Sequence, residues 1–174
     1  MKRAQEILHR ISSVIAWVGI GLTLTTMVMY SIDVFGRLIF SSQMRGTFEL
    51  AQFMFCLITF SAFGYTQMMR GHIHVSIFIN RFPPRAKYAT AAIHFILSTI
   101  ICCIATAAVF NMGSVASSID KHSLVVELPY APLYYVSAVL MAAFTVTVAF
   151  DVIRCIMAVV GNPDARASID KIYA

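Results

Sequence analysis

A chain of 174 residues that is 59% hydrophobic and only 12% charged, with a mean hydropathy of +0.79, carries more apolar surface than a soluble domain of its length can bury. The surplus calls for a bilayer as solvent, so membrane lipid is an expected partner. The formal charge of +5 does not point to nucleic acid, because the basic residues lie between apolar blocks instead of clustering on one face of a soluble module.

The N-terminal segment places Lys2, Arg3 and Arg10 before an uncharged run from Ile11 to Ile32. That run is too long for a signal-peptide core and lacks a small-x-small cleavage site, so a retained anchor is expected. Ala4, Ile7, Leu8, Ile11, Val14 and Ile15 recur at helical spacing, which predicts that the helix begins before the hydrocarbon, as an amphipathic turn on the membrane surface. Near the far end, Asp33 and Arg37 are four residues apart and share a helix face.

A second uncharged run extends from Leu50 to Met69, opened by Glu49, where a negative charge suits a helix N-terminus. Because the intervening loop is short, Arg37 and Glu49 are expected to approach each other across the hairpin. Arg37 then either contacts an acidic substrate or braces two helices at the water interface, and the brace is the preferred reading.

The connection from Arg70 to Pro84 is apolar but too short to cross. Val75, Phe78, Ile79 and Phe82 form one helical stripe, which predicts an interfacial segment over about residues 72–82. Pro83 and Pro84 break it before the third run, Tyr88 to Ile119. Gly113, with Ser114, Ser117 and Ser118, is read as the point where that helix leaves the bilayer. Pro129 and Pro132 open the fourth run, Leu128 to Phe150, and Gly161-Asn162-Pro163 closes it.

About 20 helical residues cross a hydrocarbon core, and these runs lack the period-2 alternation of barrel strands. The predicted fold class is therefore all-α: an integral membrane protein with four transmembrane helices plus short interfacial amphipathic helices. The whole chain, 1–174, forms one domain with spans at about 11–32, 50–69, 88–113 and 129–152. Ten of the thirteen Lys and Arg residues fall in the N-terminal segment, the central loop and the C-terminal tail; Arg37, Arg45 and Lys121 fall on the other side. The positive-inside rule then puts both termini in the cytoplasm.

No pair of carboxylates lies mid-membrane. Asp151 and Arg154, three apart, read as a local ion pair. Cys56, Cys102, Cys103 and Cys155 form no C-x-x-C pair and read as small buried hydrophobes. Of His9, His72, His74, His94 and His122, only His94 lies inside a span, whereas a bis-histidine haem needs two facing imidazoles from different spans. Gln52, Gln67 and Asn111 are expected to bond between helices. Neither a catalytic centre nor a cofactor or metal site is expected. A cytochrome b-like redox protein and a self-contained homo-oligomeric carrier are the alternatives.

In order and spacing, the features resemble the small membrane subunit (DctQ-like) of tripartite ATP-independent periplasmic transporters, or TRAP transporters. The resemblance rests on Arg37 and Phe40, then Glu49-Leu50 and Gly64, then Arg70-Gly71-His72-Ile73-x-Val75 with Arg81-Phe82-Pro83, and on Pro129. Two positions depart from the family pattern: Phe48 and Ser76 stand where acidic residues are common. The resemblance implies a non-catalytic subunit in the bacterial inner membrane, a scaffold for a large permease subunit that holds the substrate and ion sites. It also implies a periplasmic substrate-binding protein as partner, and uptake of an organic acid driven by a sodium gradient. Arg45, Asp120 and Lys121 are candidates for touching that binding protein.

Overall fold

The computed structural model describes residues 2–41, 44–69 and 84–160. They form four helices: α1 Lys2–Phe40, α2 Thr47–Met68, α3 Pro84–Ser118 and α4 Tyr130–Val160. All four are long and apolar enough to cross a membrane, and no strand occurs among the described residues beyond one isolated bridge, His122 to Pro129. The all-α membrane fold expected from the sequence is thus observed. The interfacial segment 72–82, with Arg70, Gly71, His72, Ile73, Val75 and Pro83, lies outside the described residues.

The helices outrun the spans read from the sequence. At ~1.5 Å per residue, α1 is about 58 Å long and α3 about 52 Å, against a hydrocarbon core of ~30 Å. Their charged residues, Lys2, Arg3, Glu6, Arg10, Asp33 and Arg37 on α1 and Arg85 and Lys87 on α3, lie towards the ends, where a helix can continue into the headgroups without burying charge in lipid. The third helix also runs straight through Gly113, the expected exit point. A Cβ there would sit 3.0–3.1 Å from the Tyr135 ring, so this glycine admits an aromatic side chain from α4.

Local chemistry sets the ends. Ser41 adopts φ 48 after α1, the left-handed turn that terminates helices. Pro84 is the first residue of α3, where its missing N–H costs nothing. Pro129 immediately precedes α4, and Pro132 lies in its first turn. Within the helices, hydroxyls such as Thr25, Thr59 and Thr66 donate to the carbonyl four residues back at 2.8–2.9 Å. Those bonds satisfy them internally, so they are tolerated on exposed faces.

In space the helices run in a row: α1 on α2, α2 on α4, and α4 on α3, the last pair most extensively. The register follows from named contacts. Gly19 of α1 meets Ser61 of α2 and Gly64 meets Ser12, so these two are antiparallel. Thr106 with Thr145 at 3.1 Å and Gly113 with Tyr135 join α3 to α4, also antiparallel. The ring pairs Phe53–Tyr130 and Phe63–Phe144, at 5.0 and 5.5 Å between centroids, align α2 with α4 in parallel. Both hairpin loops therefore lie at one end, the loop end, and the starts of α1 and α3 at the other, the terminal end.

The face α1 turns to α2 is small and polar. Ser12, Gly19, Thr26 and Asp33, spaced by seven, are its buried positions, while Trp17, Leu24, Val28 and Leu38 point outward. In lipid this is the favourable arrangement, since apolar side chains gain nothing by leaving acyl chains and small ones let backbones approach. The largest apolar core instead ties α3 to α4 towards the terminal end, from Tyr88, Ala91, Ala92 and Phe95 against Val148, Cys155 and Ala158. Cys102 and Cys155 are buried as expected, but Cys103 is exposed.

Candidate functional site

The acidic residues embedded in the helices, Asp33, Glu49 and Asp151, mark the two ends of the row. At the loop end the chain turns sharply into α2 through Gly46, whose φ of +82 any side chain would strain. A Cβ at Gly46 would also collide with Val126. The α1–α2 and α3–α4 loops are therefore in direct contact. Three residues further, Glu49 reaches the second loop. Its Oε2 accepts from Ser123 Oγ at 2.7 Å and from the Val125 and Val126 amides at 3.0 Å. Its Oε1 accepts from the Leu124 and Val125 amides at 3.1 Å. Three consecutive N–H groups converging on one carboxylate make an anion nest, with the anion supplied by the chain itself.

The nest exists because the loop closes on itself. Ser123 N–H donates to Leu128 C=O at 2.9 Å, and Tyr130 N–H to Lys121 C=O at 3.0 Å. Asp120 and Glu127 take positive φ values of 48 and 56 to make the turns. The expected approach of Arg37 to Glu49 is not what forms. Arg37 pairs with Asp33 on its own helix, and Asp33 Oδ1 also accepts from the Met44 amide at 3.0 Å. Asp33 is 1% exposed, so Arg37 neutralises a buried carboxylate that in turn holds the start of the α1–α2 loop. The physical reason is proximity: Asp33 is one turn away, whereas Glu49 is already saturated by backbone donors.

At the terminal end, Gln67 Nε2 donates to Asp151 Oδ2 at 3.0 Å, across the α2–α4 contact. Arg154 donates to Asp151 Oδ1 at 3.3 Å, the local pair read from the sequence, and its guanidinium stacks over Phe150 at 5.6 Å. Gln67 thus bonds between helices as expected, whereas Gln52 and Asn111 are exposed and make no side-chain hydrogen bond among the described residues.

A tyrosine belt marks the loop end of α4. Tyr130, Tyr134 and Tyr135 lie in its first turns, with Tyr135 against Phe110 at 5.4 Å and Lys121 Nζ 5.2 Å over Tyr130. All three are half-buried against the protein itself. Beyond the belt, Arg45, Asp120 and Lys121 are all exposed on the two loops. Of the described histidines, His9 packs edge-on to Tyr65 at 6.4 Å, His94 is exposed beside Phe95, and His122 Nδ1 lies 2.8 Å from the Asp120 carbonyl. Among the described residues no group of three His, Cys, Asp or Glu side chains is placed to hold a metal.

The sequence singles out Glu49 and Asp151 but not Ser123 or the amides beyond it. A backbone donor has no sequence signature, so nothing in Ser123–Val126 announces a nest. The burial of Asp33 was legible in principle, from its place in the seven-residue series of small and polar positions on α1.

A family model described as tripartite ATP-independent periplasmic transporters, DctQ component, matches residues 26–157. The match begins within α1, ends near the last turn of α4, and takes in both the Glu49 nest and the Asp151 knot. No curated protein and no solved structure matches the chain.

Proposed function

The chain belongs to the DctQ family, the small multi-pass membrane component of TRAP transporters, and we propose that it is the static, non-catalytic scaffold of an ion-gradient-driven uptake system. The observation that carries this reading is the fate of its embedded charges. Asp33, Glu49 and Asp151 are each engaged by groups of the same chain. A carboxylate that must bind and release a solute or ion during transport needs free coordination sites, whereas Asp33 holds the start of the α1–α2 loop, Glu49 joins α2 to the α3–α4 loop and Asp151 joins α4 to α2.

In this proposal the solute and coupling-ion sites lie in a large permease subunit, which uses the apolar outward faces of the row as its fixed partner. A periplasmic binding protein delivers the solute, of the organic-acid class by family resemblance. The loop end, poor in Lys and Arg, faces the periplasm of a bacterial inner-membrane protein, and the termini face the cytoplasm. Arg37 and Glu49 brace the outer end separately, through Asp33 and through the nest. The stretch Arg70, Gly71, His72, Ile73 and Val75 to Pro83 is proposed to fasten the inner end to lipid and to the large subunit.

Purification of the tagged chain in mild detergent, followed by identification of what accompanies it, tests the reading. A large hydrophobic permease is expected in stoichiometric amount. A homo-oligomer that transports solute by itself in liposomes would overturn it.

A further inference from the structure

We draw no further inference here: the strongest candidate, the apolar groove that Leu24, Val28, Met29 and Ile32 of α1 form with Met44 of the α1–α2 loop, lies on an exposed helix shaft, and nothing in the structure shows whether lipid or another subunit covers it.

Discussion

Glu49 and Ser123 lie 74 residues apart in sequence and are joined by a hydrogen bond of 2.7 Å. That bond, with the amide contacts beside it, couples the start of α2 to the loop between α3 and α4. Glu49→Gln should weaken it, because one carboxylate oxygen becomes an NH2 group that faces N–H donors. Hydrogen bonds to a charged group are stronger than neutral ones. Thermal unfolding of the detergent-purified chain should therefore report a lower midpoint, and Ser123→Ala a smaller loss. No change in Glu49→Gln would mean that the nest does not form.

Gly46 combines a left-handed backbone with a close approach to Val126. Gly46→Ala should destabilise by about 1–2 kcal/mol from the backbone alone, with a further steric loss. Val126→Ala introduced into that variant should restore the steric part only. A double-mutant cycle on thermal stability separates the two, and simple additivity of the losses would contradict the contact.

The α1–α2 register can be checked covalently. A Cβ built on Gly64 lies 3.9 Å from Ser12 Cβ, within the range that a disulfide spans. Ser12→Cys combined with Gly64→Cys, in a background with the four native cysteines replaced, should cross-link under mild oxidant. A pair shifted by two residues on α2 should remain reduced. Equal cross-linking of both pairs would show that the two helices slide.

At the other end, Gln67 and Asp151 offer a measure of how firmly α2 holds α4. Interhelical hydrogen bonds in membranes average about 0.6 kcal/mol and reach ~1.7 kcal/mol. The coupling between Gln67→Leu and Asp151→Asn in a double-mutant cycle is expected near the upper value, because Asp151 is also charged and buried. A coupling indistinguishable from zero would remove this contact from the account.

The four spans were legible because a bilayer imposes a length and an absence of charge that any reader of the sequence can find. The order of the helices in space was not. Runs that are apolar on every side do not say which face meets which neighbour, and only Ser12, Gly19, Thr26 and Asp33 carried that information, for α1 alone. The helix ends are a separate matter from the spans: Arg10, Asp33 and Lys87 end an uncharged run without ending a helix. At the loop end, pairing opposite charges by proximity suggested Arg37 with Glu49. The structure resolves each charge more locally, Arg37 one turn back on Asp33 and Glu49 on backbone donors that no pattern of side chains reveals.

The parallel seating of α4 against α2 bears on how the protein is made. The first hairpin can close as soon as α2 leaves the ribosome, but α3 finds its principal neighbour only when the final helix arrives. That helix must slot between α3 and a hairpin already in place, completing the Asp151 knot as its last turns are synthesised. A nascent chain stopped after Ser118 would therefore hold a finished pair and a solitary third helix, with Glu49 still lacking its nest; assembly of this scaffold is decided by α4 and the loop that leads into it.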